Sequence, residues 1–390
     1  MSHPIVTGNT SHTEPENRVF YPALDGLRAV AFLMVFLQHY LHLAWGWTGV
    51  NIFFVLSGFL ITGILFDTRD DRHRARNFYI RRTLRIFPLF YGVFFLLLLL
   101  QPIMHWQWTW SWLLWPAYLG NFARFLHPSL PGSPLRLLGD FQLRGLHGSA
   151  DPTLYMGHFW SLCVEEQFYL LWPWLVFYIR DRRRLLWLCA ATLPLCLALR
   201  LAGMAWLPAW MLQDEVLLRV MPFCADSLLL GGLLALLLRG RHAATLLLTA
   251  KRLLPVALVA LVCLLLFTRW GALLALPYNY PASVHTWDVT AINLLAALLV
   301  LCALQPGSVL YRVLSVPALR WLGRISYGAY VLHDIPHAVY TSLGAALSVD
   351  HGDLIGGIIA LPCTVLLAWL SFRFFESPFL NLKTRWTLAN

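Results

Sequence analysis

The sequence predicts an all-α polytopic integral membrane protein with about ten transmembrane helices and both termini in the cytoplasm. The chain is 59% hydrophobic and only 12% charged, whereas an ordinary soluble domain has about 25% charged residues. Apolar runs of about 18 residues or more, enough to cross a bilayer, recur along the whole chain. The net charge of +10 comes from basic residues between these runs, which favours positive-inside topology over nucleic-acid binding.

This pattern divides the chain into three regions. Residues 1–20 are polar and contain no short apolar core with a small-residue cleavage site. We therefore predict a disordered cytoplasmic lead rather than a cleaved signal peptide. Residues 21–378 are predicted to form a single transmembrane domain, and residues 379–390 a cytoplasmic tail.

The spans are predicted from apolar runs and checked by the charges between them. They lie at residues 27–44, 50–66, 87–104, 160–179, 185–206, 216–238, 253–270, 289–304, 325–347 and 354–374. The loops assigned to the cytoplasm are rich in arginine and lysine. The loops assigned to the outside carry acidic residues instead, namely Asp214, Glu215, Asp350 and Asp353. This asymmetry is what the positive-inside rule requires.

One region leaves the topology open. Five tryptophans crowd the stretch after the third span, namely Trp106, Trp108, Trp110, Trp112 and Trp115. If this stretch crosses the membrane, every later span is reversed and the arginines at 180–184 face outward. Tryptophan prefers the membrane interface and arginine the cytoplasm, so we favour an interfacial stretch within one extracytoplasmic loop, residues 105–157.

The seven cysteines indicate neither a disulfide framework nor a metal site. They lie in or beside apolar segments, and no two are spaced as a CxxC pair. We interpret them as small apolar residues of the helix bundle and predict no metal.

Arg28 and His39 are ionisable residues at the two ends of the first span. A charge in hydrocarbon is costly, so such residues are functional candidates by default. Histidine exchanges protons near neutral pH, which makes His39 a candidate general base. The alternative for His39 is a histidine that only hydrogen-bonds a neighbouring helix. His42 shares its helix face but is the weaker candidate.

Arg81, Arg82 and Arg85 form a cationic group just before the aromatic start of the third span. Arginine presents a planar set of donors that suits phosphate. Arg82 and Arg85 are three residues apart and therefore share a helix face. The alternative is that these arginines only set the membrane topology. We prefer that alternative for the arginines of residues 69–76, because aspartates lie among them.

Two further polar groups lie in later spans. Glu165 and Glu166 are adjacent, and their side chains point about 100° apart on a helix, so we expect the two carboxylates to serve different sites. One of them, with Glu166 preferred, is expected to orient His39 or bind acceptor hydroxyls. The alternative is hydrogen bonding between helices. Nearby polar or aromatic residues that could bind a substrate are His158, Trp160, Ser161 and His333.

Five segments carry a family resemblance when taken in order. They read LDGLRAVAFLMVFLQHYLHLAW, FFVLSGFLI, RRTLRIFP, HFWSLCVEEQFYLLWP and ISYGAYVLH. This ordered set resembles the membrane acyltransferase-3 family, which O-acylates glycans and related acceptors. The resemblance runs from Leu24 to about Pro378, and we expect a standalone form without the soluble hydrolase-like domain that some members append.

The resemblance implies a multi-pass enzyme of the inner membrane. It implies acyl-CoA as the donor, with acetyl-CoA first among candidates, and a hydroxyl of a glycan as the acceptor. Partners are then these two substrates and the lipid bilayer, with no nucleic acid and no metal. The implied catalytic residues are His39, Glu166 and Glu165; those for CoA are Arg28, Arg81, Arg82 and Arg85; those for the acceptor are His158, Trp160, Ser161 and His333. The acyl chain, the acceptor and the oligomeric state stay open.

A transporter or flippase with a buried histidine and arginine pathway is the alternative class. Transporters often show internal repeats with paired, broken helices near the midplane. The sequence shows no obvious repeat. Cytoplasmic arginines followed by a membrane histidine favour the enzyme.

Overall fold

A computed structural model describes residues 21–388, except 44, 105–112, 123–141, 145–151, 209–210, 213–214, 268–285 and 349–350. The predicted N-terminal lead, most of the predicted loop at 105–157 and four of its five tryptophans lie outside the described residues. The acidic positions 214 and 350 also lie outside them.

Helices make up most of the described chain. They are α1 (Pro22–Leu41), α2 (Thr48–Asp67), α3 (Arg74–Met104), α4 (Trp160–Tyr178), α5 (Arg182–Trp206), α6 (Val216–Arg219), α7 (Met221–Leu237), α8 (Ala243–Phe267), α9 (Trp287–Ala303), α10 (Val309–Leu314), α11 (Pro317–Arg324), α12 (Ser326–Leu332), α13 (His337–Leu347), α14 (Gly352–Leu370), α15 (Ser377–Asn381) and α16 (Lys383–Trp386). A 3-10 turn, Gly157–Phe159, precedes α4, and a π-helical turn, Ser371–Glu376, follows α14. Strands β1 (Gln142–Arg144) and β2 (Pro152–Tyr155) pair in an antiparallel ribbon.

The length and composition of the helices confirm an all-α polytopic membrane protein. Within the described ranges, seven segments are long and apolar enough to cross a bilayer: Pro22–Leu41, Thr48–Asp67, Arg74–Leu100, Arg182–Trp206, Val216–Leu237, Ala243–Ala260 and Gly352–Trp386. Trp287–Ala303 is a shorter apolar helix. The count of ten spans and the cytoplasmic position of both termini stay predictions.

Helix α2 is the centre of the bundle. Of the apolar segment of α2, 78% is buried, whereas only 6% of the apolar segment of α8 is buried, so the apolar side chains of α8 face outward. Helix α2 packs against α1, α4, α7 and α9. A Cβ built on Gly58 would overlap the carbonyl of Leu228, and one built on Gly231 would overlap that of Val55. α2 and α7 therefore meet backbone to backbone, which glycine at both positions allows.

The segment predicted as one span at 325–347 is two helices, α12 and α13, separated by residues 333–336. Pro336 disfavours helical backbone in the residue before it, which explains the break. The carbonyls of the broken turn are satisfied by side chains: the Tyr40 hydroxyl donates to the His333 carbonyl at 2.8 Å. His158 Nε2 lies 3.1 Å from the carbonyl oxygen of Val331. Irregular backbone inside a bundle needs such partners.

Candidate functional site

A cavity of about 110 Å³ lies inside the bundle between α1, α2, α3, α4 and α12. Its charged lining residues are Arg28, Arg82, Arg85, Glu165 and Glu166, and we call it the arginine cavity. Hydroxyl groups of serines and tyrosines and several aliphatic side chains complete the wall. The first span, the cationic group and the span of paired carboxylates thus meet at one place.

The three arginines differ in their neighbours. Arg28 Nη1 lies 2.6 Å from a carboxylate oxygen of Asp25. The guanidinium of Arg82 stands 4.5 Å above the ring of Tyr169. In the part of the chain that the structure describes, no hydrogen bond or ion pair involves the guanidinium of Arg85. Arg82 and Arg85 both line the cavity, as their spacing predicts, so their donors can meet an anion there. Arg81 is not part of the lining.

Glu165 and Glu166 both line the arginine cavity, so the expectation that they serve different sites was wrong. Both carboxylates interact electrostatically with Arg82, and Glu165 also lies beside Ser57 and Tyr169. Glu166 Oε1 is buried without a hydrogen-bond partner among the described residues.

A second polar group surrounds the carboxylate of Asp334. Its Oδ1 lies 2.7 Å from His39 Nδ1 and 3.2 Å from His337 Nδ1, and its Oδ2 lies 3.5 Å from His158 Nδ1. The ring of His333 lies 5.0 Å from that of His39 and 4.9 Å from that of His158. We call these five residues the histidine cluster.

Four elements build the histidine cluster, and His337 is the first residue of α13. His39 lies in the last turn of α1, His158 in the 3-10 turn before α4, and Asp334 in the break between α12 and α13. In a continuous helix at 325–347, the carbonyls of Val331 and His333 would bond within the helix and would not be available to His158 and Tyr40. The break therefore provides both the carboxylate and the anchors that fix its surroundings.

The residue beside His39 is Asp334, which the sequence analysis did not select. Neither Glu165 nor Glu166 has a hydrogen bond or ion pair with His39 in the described ranges. Asp334 therefore takes the place of Glu166 as the residue expected to orient His39. A signal was present, because Asp334 is an ionisable residue two positions before Pro336 inside an apolar span.

Ser161 and Tyr330 separate the arginine cavity from the histidine cluster. Their hydroxyl oxygens are 2.6 Å apart, and the Tyr330 hydroxyl also donates to the His158 carbonyl at 3.1 Å. Both residues line the cavity, whereas His39 does not. On the other side, the ring of Tyr330 lies 5.5 Å from that of His333. The two polar groups are thus neighbours with one hydrogen-bonded pair between them.

Two candidates lie elsewhere. The ring of Trp160 packs edge-on against Phe54 at 6.1 Å and lies 5.3 Å below the guanidinium of Arg219, outside the cavity lining. His42 ends α1 in the left-handed conformation, with φ 51°. Its Nε2 lies 3.0 Å from Asp353, and both side chains are half-exposed. His42 is therefore turned away from Asp334, which supports the choice of His39.

Part of the histidine cluster has metal-binding residue types. His39, His333 and Asp334 offer ligand atoms within 4.8 Å of one another. Two ligands on a tetrahedral zinc ion, each about 2.0 Å from it, lie about 3.3 Å apart. The 2.7 Å between His39 Nδ1 and Asp334 Oδ1 is instead the length of a charge-assisted hydrogen bond. The cluster therefore fits a proton-handling group.

Comparison with known proteins identifies the family of this chain. A profile described as an acyltransferase domain matches residues 21–373. The peptidoglycan O-acetyltransferase OatA of Listeria monocytogenes is 28% identical over 381 residues, covering 93% of this chain and 56% of that protein. The putative peptidoglycan O-acetyltransferase YrhL of Bacillus subtilis is 29% identical over 375 residues, covering 92% of this chain and 55% of that protein.

A putative O-acetyltransferase of Staphylococcus aureus is 25% identical over 397 aligned positions, covering 92% of this chain and 57% of that protein. No solved structure is significantly similar. The chain thus spans little more than half the length of these relatives. Because the profile covers nearly all of the described bundle, this protein belongs to the membrane acyltransferase family that its ordered motifs resemble.

Proposed function

We propose that the protein is a membrane O-acyltransferase of the inner membrane. It moves an acyl group, acetyl as the first candidate, from cytoplasmic acyl-CoA to a hydroxyl of a glycan at the outer face. The observation that carries the proposal is a histidine–aspartate pair next to an arginine-lined cavity in one bundle. The names of the relatives, which refer to peptidoglycan O-acetylation, support a glycan acceptor.

The donor would enter the arginine cavity with its phosphates toward Arg28, Arg82 and Arg85. Arginine binds phosphate oxygens through two parallel N–H donors, and a cavity excludes the water that would compete. The ring of Tyr169 holds the guanidinium of Arg82 in place from one side.

His39 would act as the general base. Asp334 Oδ1 faces its Nδ1, which selects the tautomer with a proton on Nδ1 and leaves the lone pair on Nε2. The carboxylate also stabilises the imidazolium that forms when Nε2 takes a proton. A positioned base contributes about 10²- to 10⁴-fold to such a reaction.

In the transfer step, His39 Nε2 removes the proton of the acceptor hydroxyl while the hydroxyl oxygen forms a bond to the thioester carbonyl carbon. The carbon–sulfur bond then breaks, and the imidazolium returns the proton to the leaving sulfur of CoA. Asp334 stays ionised throughout and exchanges no proton with the substrates. An acyl-histidine intermediate is the alternative route.

The proposal requires the thioester to pass Ser161 and Tyr330. Their hydroxyl pair closes the arginine cavity on the side of the histidine cluster. Tyr330 must therefore release Ser161 when the acyl group reaches His39. The glycan hydroxyl would approach His39 from the opposite side, so the acyl group crosses while CoA stays on the cytoplasmic side.

The test separates donor binding from transfer. His39→Ala should bind acetyl-CoA like wild type and lose transfer, because it removes only the base. Arg85→Ala should weaken acetyl-CoA binding about tenfold or more, because one charge-assisted contact is lost. Arg85→Lys should restore binding only in part, because lysine cannot form the two parallel contacts. Binding is measured by calorimetry and transfer by labelled acetyl on a glycan fragment.

Arg72→Ala is the matched control for charge. Arg72 is exposed and precedes α3, so its loss should leave binding unchanged. Wild-type transfer by folded His39→Ala would remove His39 from the mechanism. Glycan movement across vesicle membranes with no CoA released would favour the transporter or flippase instead.

A further inference from the structure

The chain after α14 folds back against α3, the helix that carries the cationic group. The π-helical turn Ser371–Glu376, α15 and α16 all contact α3. The ring of Phe375 lies against Gly92. At the other end, the side chain of Asn77 forms two hydrogen bonds of 2.9 Å with the backbone N–H and carbonyl of Leu388. Residues 371–388, which we call the C-terminal segment, are thus fixed along α3.

This attachment brings another cation to the arginines. Asn77 lies one turn before Arg81 on α3, so the end of the C-terminal segment is tied beside them. Lys383, half-buried in α16, which packs on α3, interacts electrostatically with Arg85, then with Arg82 and Arg81. Within the C-terminal segment, Glu376 also interacts with Arg85, and its carboxylate accepts a hydrogen bond of 3.0 Å from Ser371.

Arg81, Arg82, Arg85 and Lys383 place four cations in one small region, where Glu165 and Glu166 interact with Arg82 and Glu376 interacts with Arg85. Three carboxylates offset four cations only in part, so this region still attracts a ligand with several negative charges. A CoA thioester carries a diphosphate and a separate 3′-phosphate. The cations fall into two sets. Arg82 and Arg85 line the arginine cavity, whereas Arg81 and Lys383 do not.

The order of groups along the donor matches these two sets. The thioester must lie deepest, toward Ser161, and the pantetheine arm leads back to the diphosphate. The 3′-phosphate is attached to the ribose beyond the diphosphate, so it lies farther from the acyl group. The inner arginines therefore suit the diphosphate, and the outer pair suits the 3′-phosphate. An ammonium is a compact point charge, which is adequate for a terminal phosphate.

We propose that the C-terminal segment forms the outer wall of the donor site, where Lys383 and Arg81 bind the 3′-phosphate of the CoA donor. This inference rests on the proposed function, because it assigns part of the site for the same donor. It adds a binding residue from the end of the chain, far from the motifs that carry the family resemblance.

The test compares two donors on the purified full chain by calorimetry. Wild type should bind acetyl-CoA more tightly than acetyl-3′-dephospho-CoA. Lys383→Ala should lose about tenfold in affinity for acetyl-CoA, as for one charge-assisted contact, and bind the 3′-dephospho donor like wild type. Lys383→Arg should keep the preference. Arg385→Ala, an exposed cation in the same short helix, is the control and should change neither affinity.

If Lys383→Ala kept the wild-type preference for acetyl-CoA over acetyl-3′-dephospho-CoA, this inference would be overturned, whereas the proposed donor would stand. Equal losses for both donors would also overturn it, because Lys383 would then act on the diphosphate or on the fold. If wild type bound neither donor, the proposed function would fail, and this inference with it. Binding of the 3′-dephospho donor by the variant also shows that it is folded.

Discussion

Asp334→Asn should slow acyl transfer about 10- to 150-fold while leaving acetyl-CoA binding unchanged. The substitution keeps the shape of the side chain and removes its charge. An amide can donate to His39 Nδ1 as well as accept from it, so the tautomer with a free Nε2 lone pair is no longer selected. The imidazolium formed during transfer also loses its counter-charge.

The magnitude follows from the geometry of the pair. His39 Nδ1 and Asp334 Oδ1 are 2.7 Å apart, within the range of charge-assisted hydrogen bonds. Such bonds contribute about 1.5–3 kcal/mol, and each 1.36 kcal/mol corresponds to about tenfold in rate. The two side chains are 23% and 11% exposed, so solvent screens the pair little. Asp334 lies outside the lining of the arginine cavity, which explains why donor affinity should stay constant.

The assay measures labelled acetyl transfer and donor binding on the same preparations, with thermal unfolding as a check on folding. Asp353→Asn is the matched control, since it removes a carboxylate 3.0 Å from His42 in a half-exposed pair. It should transfer at the wild-type rate. If folded Asp334→Asn also transferred at that rate, Asp334 would not position His39. Equal loss in both variants would indicate a general effect of charge removal.

Two predictions address packing and topology. Gly231→Ala should destabilise the protein by about 1–3 kcal/mol or more, because the new methyl group overlaps the backbone carbonyl of Val55. Gly307→Ala is the control and should be neutral, because nothing lies within 4 Å of its added methyl group. Thermal unfolding measures both variants, and equal melting temperatures would contradict the close crossing of α2 and α7. A cysteine at Arg183 should be shielded from an impermeant thiol reagent in intact cells, whereas one at Asp353 should react. The opposite labelling pattern would show that the tryptophan-rich stretch crosses the membrane.

Local patterns in the sequence sufficed for residues whose role depends on one helix. Arg82 and Arg85 were expected on one face from their spacing, and both line the same cavity. Periodicity and apolar length determine such features, because they need no knowledge of which helices are neighbours. The preference for His39 over His42 came instead from the family resemblance, since periodicity places the two histidines on one helix face. The structure gives them different surroundings, because His42 ends α1 in the left-handed conformation.

Residues whose role depends on long-range contacts could not be assigned in this way. Asp334 reaches His39 from a position 295 residues away in the chain, and no local pattern links them. Lys383 meets the arginines only because the C-terminal segment folds back along α3. The placement of Glu165 and Glu166 failed for a related reason. The width of the cavity around α4 is a property of the assembled bundle, and helix periodicity does not give it.

The break between α12 and α13 connects the fold to the proposed chemistry. A continuous helix would be the stable choice in an apolar bundle, since every unpaired backbone group there is costly. The break instead leaves carbonyls that Tyr40 and His158 must satisfy. The same turn presents Asp334, so the contacts that repair the backbone also hold the neighbours of the carboxylate in place. Local rules of structure are most often violated where function requires it, and here the violation places a carboxylate beside His39.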